Sequence, residues 1–142
     1  MQNLSDTFYG QYMWIQAAKV MNANKWDAYI KWENEIIEKW ILFLQQQVTI
    51  RHKNICIWGA GAKGVSFLNL IDPECKYISG VVDINPQKQG CFLSGTGHQI
   101  ISPEKLGEIL PDFIIIMNEN YADEIQGTLR ILGLERSKCI LL

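Results

Sequence analysis

Asn54-Ile55-Cys56-Ile57-Trp58 runs directly into Gly59-Ala60-Gly61-Ala62-Lys63-Gly64, and the next apolar residues are Val65, Phe67, Leu68 and Leu70. The first five residues form a short apolar run that stops at glycine. Such a run reads as a strand buried on both faces. The residues after it take helical spacing from Lys63 to Ile71, and Asp72-Pro73 stops them. Strand, glycine-rich turn and helix in this order make a unit with a mechanism. Gly59 allows the tight turn, Gly61 lets an anion approach the backbone, and Gly64 lets the helix pack closely on the sheet. The helix N-terminus then offers unpaired N–H groups and a positive dipole. The pattern also fits a turn that binds nothing, so its context must decide.

Downstream the same alternation repeats. Residues 77–82 form a second apolar run that ends at Asp83, 98–101 a third, 112–117 a fourth and 138–142 a fifth. Between them, Ser102-Pro103 opens a helix that ends near Leu110-Pro111, and Tyr121 to Leu132 is a helix closed by Gly133. Strands alternating with helices predict an α/β, Rossmann-like three-layer sandwich. Right-handed crossovers favour a five-stranded, mainly parallel sheet of order 3-2-1-4-5. Ligands of such sheets bind beyond the carboxyl ends of the strands where the order reverses. Here that is the crevice between Gly59 and Asn118.

Upstream, apolar residues at 29, 32, 36, 37, 40, 43, 44 and 48 predict a long amphipathic helix over about 26–50. A second helical segment is expected over residues 5–21, and Asn22 or Asn24 is a candidate cap for the long helix. Residues 1–25 are read as a helical segment or linker ahead of a domain over 26–142. Four of the five tryptophans (14, 26, 32, 40) lie upstream of the glycine motif. They pack on the domain that follows or, alternatively, face a missing domain or a second copy in a homodimer.

The whole chain has 142 residues, 48% hydrophobic and 20% charged, with a net charge of −2. That is one domain with a short appendage, too small for a two-domain dehydrogenase. The charge balance speaks against a nucleic-acid or anionic-membrane binder. Four cysteines stand at 56, 75, 91 and 139 without metal-ligand spacing, and no signal segment or membrane span is legible. A reducing cytoplasm is the expectation.

Several residues at the strand ends can carry chemistry. Lys63 lies inside the glycine loop and can add a point charge to a phosphate site, or simply be solvated. Asp83 ends the second strand, where an acidic residue holds a ribose in dinucleotide sites, or caps the Asn85-Pro86 turn. Residues 85–98 show neither helical nor strand period, and a loop of this length is usually functional. It is expected to fold over the crevice and to bring donors from Asn85, Lys88, Gln89, Thr96 and His98. His98 can be an acid–base group, but a lone His at a strand start is more often structural. Asn118 and Tyr121 follow the fourth strand and face the same crevice, with Asn118 or Asn120 capping the next helix. There is no Gly-x-Ser-x-Gly, no Walker lysine–serine pair and no metal-ligand cluster. The sequence displays a binding site more clearly than a catalytic one.

A set of linked blocks is more specific than the glycine motif alone. They are Trp58-Gly-Ala-Gly-Ala-Lys-Gly64, Phe67-Leu68-Asn69, Val81-Val-Asp-Ile-Asn-Pro-Gln-Lys-Gln-Gly90, Ser94-Gly-Thr-Gly-His98 with Ile101-Ser-Pro103, the strand 112–117 with Asn118, and Asp123-Glu124-Ile125. In this order, over about 26–142, the chain resembles the C-terminal domain of sugar C-methyltransferases. Gln99 departs from the proline expected in that family's loop. The resemblance implies a Rossmann-like domain that helps bind a deoxysugar carried on a nucleoside diphosphate, typically dTDP. It implies Gly59, Ala60, Gly61, Lys63, Gly64, Asp83, Asn85, Lys88, Gln89, Thr96, His98, Asn118 and Tyr121 as substrate-binding residues. Catalytic groups, S-adenosylmethionine and zinc are expected on other domains, with the methyltransferase domain as a partner in cis or in trans. The chain alone is then not a catalyst. Two other readings stay open: an NAD(P)-binding module and a ligand-free interaction domain.

Overall fold

The computed structural model describes residues 23–142. The helix expected over 5–21, its aromatic cluster, Trp14 and the cap at Asn22 lie outside the described residues. The described residues fall into two units that divide between Glu35 and Ile36. Helix α1 is Ala23–Leu44. In the first unit, Tyr29 meets Trp26 and Trp32 ring to ring, at 6.1 and 5.9 Å between centroids. Trp32 is 54% exposed.

The second unit is a parallel sheet with helices on both faces. Strands β1 (Ile55–Trp58), β2 (Ile78–Val82), β3 (Ile100–Ile101), β4 (Phe113–Ile116) and β5 (Lys138–Leu141) lie in the order β3-β2-β1-β4-β5. Every pairing is parallel. The expected fold class and strand order are found. Helix α2 is Ala62–Ile71, α3 is Leu106–Ile109 and α4 is Ala122–Ile131.

Alternation along the buried strands sorts side chains to opposite faces. Ile55 and Ile57 of β1 and Ile115 of β4 join Leu44 of α1 and Leu68 and Ile71 of α2 in one apolar layer. Cys56 and Trp58 of β1 and Ile114 and Ile116 of β4 join Leu106, Ile125 and Leu129 of α3 and α4 in the other. Trp40 anchors α1 on the first layer through edge-on contacts with Phe43 and Phe67 at 5.8 and 5.2 Å, and Phe43 continues to Phe113 at 5.7 Å. The late part of the long helix therefore packs on the sheet through Trp40, one of the four upstream tryptophans.

Three local features differ from expectation. The α-helix ends at Leu44, and residues 45–50 continue as a wider π-helical turn, with the Arg51 N–H donating to the Gln46 carbonyl. Ser102 makes no capping bond to the backbone, and the segment it opens is a 3-10 turn, Pro103–Lys105, leading into a single α turn. The largest difference is in 85–98. Its second half forms an antiparallel excursion along β3: Gly90 N–H to Ile100 O at 2.8 Å, Ile100 N–H to Cys91 O at 2.8 Å and Leu93 N–H to His98 O at 2.8 Å. Leu93 is buried in the core. Pairing and burial draw this half to the sheet edge and leave only residues 85–89 near the crevice. Among the described residues, no helix is long and apolar enough to cross a membrane.

Candidate functional site

The glycine loop joins β1 to α2. Gly59 has φ +123°, in the region that favours glycine, and a Cβ there would stand 3.1 Å from Met117 Cβ. A Cβ at Gly64 would stand 2.1 Å from the Gly59 carbonyl oxygen, so the first turn of α2 lies against the loop only because no side chain intervenes. Gly61 is different. Nothing lies within 4 Å of a Cβ placed there, and its φ of −90° suits any residue. The two flanking glycines are needed by the fold, and the middle one leaves open space at the start of α2. No side chain caps that helix.

Beside the loop is a cleft of about 270 Å³, lined by Trp58, Gly59, Asp83, Ile84, Met117, Asn118, Tyr121, Glu124, Ile125 and Thr128. These residues come from the carboxyl ends of β1, β2 and β4 and from the following helix, so the cleft sits where the strand order reverses. Trp58 and Met117 are buried, whereas Ile84 and Tyr121 are 62% and 54% exposed. Asn118 accepts the Asn120 N–H on its side-chain oxygen at 3.1 Å and so caps the turn into α4, as expected. Sequence reasoning singled out Gly59, Asp83, Asn118 and Tyr121 from this lining but not Trp58, Ile84, Met117, Glu124, Ile125 or Thr128. Ile84 and Met117 each lie next to a residue that was singled out, and only the topology brings them together.

Asp83 is the most heavily bonded group here. Its Oδ2 accepts the Ala60 N–H at 3.1 Å and the Lys88 ammonium at 2.9 Å, and its Oδ1 accepts the Asn85 N–H at 2.9 Å. Burial alone would raise its pKa, but the Asn85 N–H, the Lys88 ammonium and the Ala60 N–H outweigh that and hold it below the ordinary carboxylate value. Lys88 Nζ also donates to Ala60 O at 3.3 Å, and Gln89 Nε2 donates to Asp83 O at 2.9 Å. Ala60, Asp83, Asn85, Lys88 and Gln89 thus form one bonded cluster at the loop. Asp83 also caps the Asn85 turn, one of the two roles open for it.

The remaining expected site residues go elsewhere. The Lys63 ammonium donates to the carbonyl of Leu142, which follows β5. His98 and Thr96 are not at the crevice. His98 is 1% exposed, with Nε2 3.0 Å from Asp72 Oδ2 and Nδ1 2.7 Å from the Thr96 hydroxyl. Asp72 also accepts the N–H groups of Lys76, Tyr77 and Ile78, at 2.7, 3.0 and 2.9 Å. Ile78 begins β2 and Asp83 follows its end, so this network occupies the opposite end of the sheet. The reason is the β3-edge pairing, which carries residues 94–98 away from the loop. His98 takes the structural reading.

Among the described residues, no set of three His, Cys, Asp or Glu side chains converges to hold a metal ion. No curated protein matches the chain. Among solved structures it is similar to RSP, a Rex-family repressor, at 18% identity and a TM-score of 0.47, covering 63% of this chain and 52% of that one. It is similar also to RSP in complex with beta-NAD+ and operator DNA, at 20% identity and a TM-score of 0.47, covering 63% and 49%. The chain spans about half the length of these proteins. The model of the C-methyltransferase C-terminal domain matches residues 13–141, nearly the whole chain. This chain belongs to the C-methyltransferase C-terminal domain family.

Proposed function

We propose that the crevice beside Gly59–Gly64 holds the nucleotide part of a nucleotide-activated deoxysugar, with dTDP as carrier, for an S-adenosylmethionine-dependent sugar C-methyltransferase. The observation that carries this reading is the open space at Gly61 next to the 270 Å³ cleft, at the reversal of strand order. A diphosphate on the uncapped start of α2 and a flat base among Trp58, Ile84, Met117 and Tyr121 suit that combination of polar and apolar surface. Membership in the C-methyltransferase family supplies the context.

Within this reading the chain binds and presents its substrate, and the methyl transfer is the work of a methyltransferase domain in cis or in trans. The two histidines, His52 and His98, both stand at the amino ends of strands, away from the crevice. The described residues do not fit a zinc site. We assign zinc and S-adenosylmethionine to other domains, and the whole to a reducing cytoplasm in keeping with the free cysteines. The rival dinucleotide reading needs Asp83 to accept ribose hydroxyls, and three of its acceptor positions are already engaged.

Calorimetric or NMR titration of the chain with dTDP, a dTDP-sugar, NAD and S-adenosylmethionine tests the reading. Binding of dTDP and the dTDP-sugar, lost in Gly61→Val, is the expected result. Tight NAD binding with silent dTDP would overturn it. Binding of none of the four would leave the interaction-domain reading instead.

A further inference from the structure

We propose that Lys88, and not Lys63, is the side chain that reads the diphosphate, and that Asp83 is its positioning residue. This rests on the nucleotide reading of the crevice and deepens it. The expected geometry of a dinucleotide site gives the acid at the end of the second strand to the ribose. Here that acid is otherwise employed. A carboxylate has about four acceptor positions, and three of those of Asp83 are filled by Ala60 N–H, Asn85 N–H and the Lys88 ammonium. One position remains, so a ribose diol that bonds Asp83 through both hydroxyls would have to displace the lysine.

Lys88 is fixed at both ends. Its own N–H donates to Asn85 O at 3.0 Å, within a turn that Asn85 Oδ1 braces by accepting the Gln87 N–H at 3.0 Å. Its ammonium bridges Asp83 Oδ2 and Ala60 O, so the charge lies against the residue that precedes the open Gly61. Two of three donors are used, and the side chain remains 40% exposed. Lys63 sits on the loop in sequence, but its ammonium reaches the residue beyond β5, which is separated from β1 by β4.

With Lys88 in place the Lys88–Asp83 pair is neutral and offers a donor. Without it, a bare carboxylate faces the incoming diphosphate. Removing Lys88 therefore takes away an attraction and uncovers a repulsion, and the repulsion disappears when Asp83 is neutral as well.

The test compares dTDP with thymidine on the wild-type chain and on Lys88→Met, Lys88→Arg, Lys63→Met and Lys88→Met/Asp83→Asn, with melting curves to confirm folding. Lys88→Met should weaken dTDP by about ten- to a hundred-fold, as expected for a lost charged hydrogen bond, and leave thymidine nearly unchanged. Lys88→Arg should retain most of the affinity, Lys63→Met should cost less than Lys88→Met, and the double variant should recover part of the loss. Equal weakening of dTDP and thymidine in Lys88→Met, or a larger loss in Lys63→Met, would overturn the assignment. No recovery in the double variant would overturn the part given to Asp83. A wild-type chain that binds neither compound removes the nucleotide reading itself, a result distinct from all of these.

Discussion

His98 and Asp72 meet at 3.0 Å, each side chain 1% exposed, and the carboxylate holds three backbone N–H groups besides. The pair ties the end of α2, the start of β2 and the turn before β3 into one buried knot. Replacing Asp72 by Ala would strand the Ile78 N–H and the imidazole without an acceptor. We expect Asp72→Ala to lose about 3–5 kcal/mol, read as the urea midpoint. A loss below 1 kcal/mol would mean that water replaces the carboxylate.

Acid should act through the same group. Burial alone would raise the pKa of Asp72, but its bonds to His98 and to the backbone of Ile78, Lys76 and Tyr77 bring it below the ordinary 3.8. Asp83 is lowered in the same sense. A carboxyl with a depressed native pKa adds stability above its unfolded value, and that stability disappears as pH falls through the native value. Stability should therefore be flat near neutrality and decline below about pH 4. Asp72→Asn should show a shallower acid limb in urea unfolding at stepped pH, and an unchanged slope would refute the linkage.

The glycine loop separates folding from binding. Gly64→Ala sets a Cβ against the Gly59 carbonyl, a backbone atom that cannot step aside. It should destabilise the chain by about 1–3 kcal/mol or more. Gly61→Ala meets nothing, and its effect on stability should stay within about 1 kcal/mol, while affinity for dTDP falls. Thermal melts paired with titrations distinguish the two, and equal melting temperatures would sink the packing argument.

Thiol chemistry offers an independent check of burial. Cys75 and Cys91 are exposed, Cys139 is half-buried and Cys56 is fully buried. Burial pushes the Cys56 thiol up to about 12 and raises that of Cys139 as well. A disulfide reagent at pH 8 should label exposed Cys91 quickly, Cys75 less quickly because desolvation and the Asp72 carboxylate raise its thiol, Cys139 slowly, and Cys56 only as fast as the chain opens. Rapid labelling of Cys56 would contradict the core described for β1.

The strands were legible because those buried on both faces leave continuous apolar runs such as Phe113-Ile-Ile-Ile116. The glycine loop was legible because turn, open approach and close packing each need a glycine at a fixed offset. What pattern could not show was pairing over distance. Asp72 and His98 are 26 residues apart, and neither residue alone announces the other. The antiparallel return of residues 90–93 has only the glycines of Ser94-Gly-Thr-Gly97 as a local mark, and these fit a flexible loop as well as a hairpin turn. Lys88 lay five residues after Asp83, but only the folded turn shows that it neutralises it.

The return of residues 90–93 along β3 also has a colloidal consequence. It satisfies the outer backbone groups of that strand, as Gly90 N–H to Ile100 O and Ile100 N–H to Cys91 O show. On the opposite margin, β5 pairs only with β4 among the described residues, and Leu141 is 52% exposed. The outer side of β3 is thus covered by a segment of its own chain, whereas β5 has no such cover among the described residues. Aggregation by strand addition should start from residues 138–141, where the exposed charge of Lys138 is the protection the strand carries.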